Sequence, residues 1–486
     1  MNKSKFLTYF KALDPSEHQA FKNYIQSRRL KNNALLIRTT ESCIQHYPFD
    51  DPEPFPEELI FRKLLKADRD KNPAATRQKL YDLRARMLTL LTDYLIQKEL
   101  ENRPEMQDKL LLDALSKRSA YAVFAGKAEE IIRETEGLPA PESGDFQMLS
   151  ETRQVLFFHP HTDKFKPDES LLEKAGQNLD QYYLLSKLKL VSEQIIRSQI
   201  YSTGKQSEIP EEITVLMEKH ADPVLRVYFE VLQMLRLEEP GNLFEKILGD
   251  LERHSEKFSR KQLSSLYHKL LYRANYFYEE NRLQYLKYIL DVFKLADRLG
   301  ILAIENSISH ILFVNITAVA SALEGRSAWL NTFRKKYEAC LETEEKKYAV
   351  PLAEAYVLFS IGEPDQALAM LENASKSHPA DRLQVESLYI RIYLDLLRRD
   401  QDTVEELENA ISRFHGFLDR DTRISGRKKT AVSHFIRIVQ LIARYYTSPQ
   451  SERTAERRAA ISEQYARMTP MYSAQWVSQK IKEIGE

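Results

Sequence analysis

The chain has 486 residues, of which 71 are basic, 71 are acidic and 43% are hydrophobic. This length is enough for several globular domains or for one continuous array of repeated helical units. The balanced charge gives the whole chain no field that would make nucleic acid, an anionic membrane or a polyanion its obligatory partner. Any such interaction has to depend on a local patch.

The cysteines and the N-terminal segment favour a cytoplasmic protein. Cys43 and Cys340 are far apart and belong to no Cys-x-x-Cys motif, so we predict neither a disulfide framework nor a zinc site. The N-terminal segment lacks the apolar core of a signal peptide. The most apolar stretch, residues 308–323, is interrupted by His310 and Asn315 and is shorter than a membrane span, so we interpret it as a buried helix.

Apolar residues recur at helical spacing along nearly the whole chain, and alternating runs of β-branched residues are absent. The sequence therefore predicts an all-α fold. The pairs Asp14-Pro15 and Asn72-Pro73 each place a capping side chain before a proline at the first helical position. The second pair begins a long helix over residues 72–100.

Breaks in the helical pattern divide the chain into three predicted parts. The strongest linker signal is the segment rich in proline, glycine and acidic residues at 134–145, and weaker ones lie at 202–212 and 447–456. The parts are an N-terminal helical module, a helical-repeat region and C-terminal capping helices, over residues 1–103, 104–446 and 447–486. Glycines are expected to end helices at Gly300, Gly325, Gly362 and Gly416.

A register of large and small residues recurs in the second half of the chain. Around the turn at Gly362, small and apolar residues stand at Ala355, Leu358, Ala367, Leu371, Ala374 and Pro379. A large residue followed three positions later by a small one recurs in the pairs Phe293/Ala296, Tyr337/Cys340, Leu371/Ala374 and Leu407/Ala410. The small members are 44, 34 and 36 residues apart, which favours a repeat array over an irregular bundle of helical hairpins.

These spacings resemble those of the tetratricopeptide repeat over about residues 260–415. The resemblance implies a right-handed α-α superhelix of antiparallel helix pairs, a fold that acts by holding another protein. Pro351 and Glu354 depart from the motif, which usually has a large aromatic residue and a leucine there. Residues 77–95 and 179–198 are similar to segments of a family of uncharacterised bacterial helical proteins, a resemblance that implies a bacterial source and no known activity.

No motif for catalysis or for a cofactor is complete. The segment TGKQS at 203–207 lacks the upstream glycine of a P-loop, and the chain contains no Gly-x-Gly-x-x-Gly, Gly-x-Ser-x-Gly or His-Glu-x-x-His sequence. His159, His161 and Asp163 could offer metal ligands, but nothing completes the set, and a loop without metal is the better interpretation. We therefore predict no enzymatic activity, no cofactor and no obligatory metal.

Two surfaces are candidate binding sites. The first is a partner groove in which aromatic anchors are flanked by cations, formed by Tyr267, Lys269, Tyr272, Arg273, Tyr276 and Tyr285. The second is the basic helices at residues 61–86, where Arg62, Lys63, Arg77, Lys79, Arg84 and Arg86 could contact phosphates. We interpret the basic loop at 420–430 as a solvated turn.

The leading hypothesis is a cytoplasmic, non-catalytic scaffold or adaptor for protein–protein interaction, which binds a partner protein or peptide along a helical-repeat groove. The alternative is a nucleic-acid-associated regulator that uses the basic helices at 61–86. No membrane partner is predicted. The C-terminal helices around Trp476 serve either as a cap or as a contact between two copies.

Overall fold

The computed structural model describes residues 5–28, 30, 33–45, 47, 73–118, 120–161, 168–201, 209–374 and 382–485. Within these ranges the regular secondary structure is helical and contains no β-strand, which confirms the predicted all-α class. The chain divides into two compact units. The first unit is Met1–Ile131 with His159–His161, and the second is Ile132–Phe158 with Thr162–Glu486.

The described residues form 22 α-helices. The first six are α1 Lys5–Lys11, α2 Pro15–Ser27, α3 Asn33–Gln45, α4 Pro73–Glu101, α5 Pro104–Ser116 and α6 Tyr121–Glu136. The next eight are α7 Ser143–Phe157, α8 Ser170–Tyr201, α9 Glu211–Lys219, α10 Pro223–Arg236, α11 Gly241–Arg253, α12 Arg260–Glu279, α13 Tyr285–Arg298 and α14 His310–Glu324. The last eight are α15 Ala328–Glu338, α16 Thr343–Ser360, α17 Pro364–Ala374, α18 Arg382–Leu397, α19 Val404–Arg420, α20 Gly426–Thr447, α21 Ala455–Arg467 and α22 Ala474–Gly485.

The first unit has its own hydrophobic core, to which α1, α2, α3 and α4 contribute. The predicted start of α2 is present: Asp14 accepts a hydrogen bond from the Glu17 backbone N–H at 2.8 Å, and the Glu17 carboxylate accepts one from the Asp14 backbone N–H at 3.1 Å. This capping box satisfies two amides that the helix cannot pair internally. Asn72, the predicted cap of α4, lies outside the described residues.

Helices of the second unit pack in a regular order. Each even-numbered helix from α8 to α20 packs on the helix that follows it. Even-numbered helices also pack on one another in the pairs α8/α10, α10/α12, α14/α16, α16/α18, α18/α20 and α20/α22. One cluster of buried apolar side chains extends from Leu184 on α8 to Ile484 on α22.

The predicted register falls on every second helix of this region. Its pairs lie on α13, α15, α17 and α19, and their members are buried, except Cys340. Cys340 lies in the turn after α15 and is only half-buried, so our interpretation of it as a small residue within a helix pair was wrong. It is fixed instead by loop contacts, because its carbonyl accepts a hydrogen bond from the Ile308 N–H at 3.0 Å.

Three of the four predicted helix-ending glycines follow helices in the left-handed region, with φ of 66° at Gly300, 60° at Gly325 and 84° at Gly362. Gly416 does not end a helix and lies inside α19. A glycine in a helix costs about 1 kcal/mol relative to alanine. That cost is small beside the burial of Phe414 and Phe417, which continues the helix through this position.

The apolar stretch at 308–323 forms α14, as predicted. His310 at its start is buried, and its Nδ1 lies 2.6 Å from the Glu345 carboxylate. Among the described helices, none is both long enough and apolar enough to cross a membrane. Trp476 on α22 packs against Phe435 with 5.9 Å between ring centres, so it contributes to the core of its own chain.

Candidate functional site

The second unit encloses a cavity of about 710 Å³, which we call the central cavity. Its walls come from α12, α13, α14, α16, α18, α20 and α22, with the segment that precedes α22. The volume lies in the range of pockets that hold small ligands or a few side chains. The helices that line it are mostly even-numbered, because these helices stack side by side in the packing order.

Apolar side chains cover one part of the central cavity. They include Leu286, Ile289 and Phe293 from α13, and Leu312 and Val319 from α14. Both helices need these residues for packing on their neighbours, so the apolar wall is the edge of the hydrophobic core. A ligand that lies against it would gain from the removal of apolar surface from water.

A guanidinium group stands opposite this wall. Arg391 on α18 lies over the rings of Tyr356 and Phe359, 5.1 and 5.4 Å from their centres. The aromatic faces stabilise the cation without taking its N–H groups. Burial raises the pKa of the Tyr356 hydroxyl above its ordinary value, so this side chain remains neutral and can donate a hydrogen bond.

Lys480 from α22 joins two carboxylates at the polar side of the cavity. Its ammonium lies 2.9 Å from the Asp395 carboxylate and 2.9 Å from that of Glu483. Burial raises the pKa of the Asp395 carboxyl above its ordinary value, although the charge of Lys480 acts in the opposite direction. The positive charge of Lys480 therefore offsets the repulsion between the Asp395 and Glu483 carboxylates.

The end of α12 holds the C-terminal segment in place. The Met471 N–H donates to the Glu279 carbonyl at 2.7 Å, and the Gln475 N–H donates to the Tyr278 hydroxyl at 3.1 Å. The Glu279 carboxylate also forms an ion pair of 2.7 Å with Lys428 at the start of α20. These contacts close one side of the central cavity with α22.

Three residues that line the cavity each carry a buried side-chain atom with no hydrogen-bond partner among the described residues. The atoms are the Trp476 indole N–H, the Arg391 Nε–H and the Gln384 side-chain oxygen. Each of these atoms is out of contact with solvent, so the three groups belong to the packing around the cavity.

Most of the charged groups of the central cavity are paired with one another. None of the described residues that line the cavity is a histidine or a cysteine. Its carboxylates are held by cations, Glu279 by Lys428 and both Asp395 and Glu483 by Lys480. A general base needs an acceptor free to take a proton from the substrate, and these groups are already engaged.

The six residues of the predicted partner groove do not form one surface. Tyr267 and Tyr285 are buried, and burial raises the pKa of both hydroxyls. Lys269 is buried as well, donates to the Ser265 hydroxyl at 3.0 Å, and has its pKa lowered by burial. Since anchors for a partner must be reachable, these three side chains belong to the packing of α12 rather than to a groove.

The other predicted groove residues stand at or beside a second cavity of about 560 Å³, the arginine pocket. Arg273 and Tyr276 line it, and Tyr272 lies beside it through a hydrogen bond of 3.2 Å from its hydroxyl to Gln199. Arg273 is only 4% exposed and has no carboxylate within ion-pair distance among the described residues. Its guanidinium lies over the Phe277 ring, 4.2 Å from the centre.

The arginines of this pocket lie close to the C-terminal ends of helices, which attract positive charge. Helices α8, α10 and α12 all end here, and each end carries about half a negative charge. Arg273 donates to the Leu237 carbonyl and Arg282 to the Glu238 carbonyl, both just after α10. With Glu238 and Glu280 also lining the pocket, the negative groups offset the arginines, so the pocket does not favour an anion.

The predicted phosphate contacts lie partly outside the described structure. Arg62 and Lys63 lie outside the described residues, and for Arg77 only the backbone, within α4, is described. Lys79 is exposed on α4, whereas Arg84 and Arg86 are half-buried on the same helix. The described part of this region therefore presents one exposed cation of the predicted set.

The histidines of the FFHPHTD segment stack in an aromatic group of the first unit. His159 is buried, 4.5 Å between ring centres from Phe124 and 5.4 Å from His161. Asp163 lies outside the described residues. No group of three or more metal-ligating side chains occurs within the ranges that the structure describes.

None of the protein-family models, curated proteins or solved structures compared with this chain matches it. The resemblances to tetratricopeptide repeats and to a bacterial helical family stay predictions. The site therefore has to be judged on its own geometry.

Sequence reasoning missed the central cavity because its polar residues come from distant segments. Arg391 and Asp395 are one helical turn apart on α18, but Lys480 is 85 residues further along the chain. A signal for part of the site was the second half of α18, where Arg391 and Asp395 stand among apolar residues.

Proposed function

We propose that this chain is a non-catalytic scaffold that binds a short segment of a partner protein in the central cavity. The cavity itself carries the proposal, because it combines an apolar wall with polar and charged side chains from α16, α18 and α22. A peptide supplies both kinds of group, apolar side chains and backbone donors and acceptors. No described lining residue supports a chemical step.

In this proposal the second unit is a right-handed superhelix of antiparallel helix pairs, like a tetratricopeptide array. Its support is the alternation of contacts: even-numbered helices pack on the next helix, and neighbouring even-numbered helices pack on one another except at α12 and α14. Repeat arrays present their stacked helices as a binding surface. The central cavity lies on that series of helices, and α22 closes it.

Capture of partners with a blocked variant tests the proposal. Ala322 is exposed at the cavity on α14, so Ala322→Trp fills space without overpacking the core. The control Ala459→Trp adds the same ring to an exposed position on α21. Tagged proteins are recovered from the cytoplasmic extract of cells that make the chain, with and without nuclease, and partners are identified by mass spectrometry.

We expect a protein that survives nuclease, is retained by Ala459→Trp and is lost with Ala322→Trp. A synthetic segment of that protein should then bind the purified wild type and Ala459→Trp, and should not bind Ala322→Trp. Retention of every partner by Ala322→Trp contradicts the cavity as the binding site. Loss of all partners on nuclease treatment would instead support the nucleic-acid alternative.

A further inference from the structure

Helix α8 carries a straight line of exposed apolar side chains, which we call the α8 stripe. It consists of Leu172, Leu179, Tyr183 and Leu190, which are 38%, 50%, 37% and 62% exposed. Their spacing of seven, four and seven residues places all four on one side of a helix. The opposite side of α8 is buried in the core of the second unit through Leu184, Leu188 and Val191.

Small residues fill the remaining positions of the same line. Gly176 is exposed, with no atom within 4 Å of the position where a Cβ would be, and Ser186 is half-buried. Along about 27 Å of helix, the side chains on this line are therefore large, small, large, large, small and large in chain order. Small residues at such positions let a second helix approach closely.

This order of sizes is the same in both directions along the helix. A second α8 laid antiparallel would place Leu172 opposite Leu190, Gly176 opposite Ser186, and Leu179 opposite Tyr183. An interface between identical chains related by a two-fold axis needs this self-complementarity, because each patch contacts its own copy.

Charge supports the same pairing. In the antiparallel register Glu173, which is exposed, lies across from Lys187 of the second copy, and the contact occurs twice. Asp180 would approach its own copy near the axis, an unfavourable contact that its neighbour His220, 3.9 Å away, can only partly offset. The two favourable pairs outnumber the one unfavourable pair.

We propose that the α8 stripe is the contact between two copies of this chain, packed as antiparallel helices around a two-fold axis. The contact is independent of the central cavity, so it can hold or fail whatever the cavity binds. A seam of one helix pair is small beside permanent dimer interfaces, so association in the micromolar range is expected.

The first experiment measures the mass of the purified full chain in solution between roughly 1 and 200 μM. The wild type should pass from monomer to dimer over this range, and Leu190→Glu should weaken dimerisation by at least about tenfold. Ile304→Glu is the control, because Ile304 is 68% exposed and lies outside the stripe. A wild type that remains monomeric throughout, or equal loss in both variants, overturns the proposal.

The second experiment tests orientation through cysteine cross-linking in a Cys340→Ser background, since Cys43 is buried. Leu172→Cys and Leu190→Cys chains should cross-link when mixed and not when each is alone, because identical positions lie about 27 Å apart in the antiparallel register. Cross-linking of each variant with itself indicates parallel helices and contradicts the proposed pairing.

The third experiment uses the charges. Lys187→Glu should weaken the dimer by roughly threefold to tenfold, and adding Glu173→Lys should restore it. Asp180→Asn should tighten it, because it removes the repulsion near the axis. Failure of the double exchange to restore association counts against the register even if a dimer forms.

Discussion

Helix α12 faces a cavity on each of two sides, and the two sides differ in what their polar groups do. Leu271, Asn275 and Tyr278 line the central cavity, whereas Arg273 and Tyr276 line the arginine pocket. On the arginine side the charged groups bond to carbonyls just after α10. On the central side most of the charged groups pair with one another, Glu279 with Lys428 and Lys480 with both Asp395 and Glu483.

The difference shows why charge and aromatic density alone do not locate a binding site. The predicted groove lay on α12 because cations and tyrosines are dense there, yet most of them serve the packing of helix ends. Burial is the better indicator, since a side chain that anchors a partner must be reachable from outside the fold. Four substitutions test this contrast.

The largest effect is expected for Arg273→Glu. A carboxylate there would be buried beside the Leu237 carbonyl, so the free energy of unfolding should fall by about 3–5 kcal/mol. Arg236→Glu, at an exposed position of the same pocket, should change it by about 0.5 kcal/mol or less. Urea unfolding followed by circular dichroism measures the free energy of unfolding of both variants. Equal losses of stability would contradict the distinction between the buried and the exposed arginine.

Trp476→Ala should lower the free energy of unfolding by about 3 kcal/mol, because the indole packs on Phe435 and little can fill its place. Trp476→Phe keeps most of that packing and removes only the N–H, so it should cost less than about 1.5 kcal/mol. The comparison separates packing from hydrogen bonding in the same unfolding assay. A phenylalanine variant as unstable as the alanine variant would mean that the indole N–H has a partner.

Glu279→Gln should cost about 1–2 kcal/mol, since it removes the ion pair with Lys428 that helps to join α12 to α20. Glu338→Gln is the matched control, because its pair with Lys346 is more exposed and should contribute little. Proteolysis of the C-terminal segment should be faster in Glu279→Gln. Unchanged proteolysis would show that the other contacts of the segment, such as those of Met471 and Gln475, hold α22 without this ion pair.

The smallest effect is expected for Asp395→Asn, and it should depend on pH. The folded-state pKa of this carboxyl is raised above 3.8, so the folded protein binds the proton more tightly and its charged form destabilises the fold. The variant should be more stable than the wild type at pH 7, by less than about 1 kcal/mol, while Lys480 keeps its pair with Glu483. The difference should vanish as the pH falls below 3.8, and a difference that grows there would contradict the direction of the shift.

Much of the helical structure could be predicted from local patterns. Proline and capping residues place the start of α2, and glycines with positive φ follow α13, α14 and α16. The pairs of large and small residues fall on every second helix. These features follow from neighbours along the chain, so the sequence alone contains them.

The candidate site could not be predicted in this way. Arg391, Glu279 and Lys480 become one site only because α12, α18 and α22 surround the same space. The linker signal at 134–145 likewise overestimated the break, because α6 extends to Glu136 and α7 begins at Ser143. Tertiary contacts can continue a helix through residues whose local preference is to end it.

The sequence by itself determined the all-α class and the positions of several helix ends, because these depend on residues within a few turns of one another. Only the tertiary structure decided which cations are buried, which helices enclose the central cavity and which side of α8 stays exposed. The physical reason is that burial depends on contacts between segments far apart in the chain, and a residue's type does not specify which neighbours it will meet.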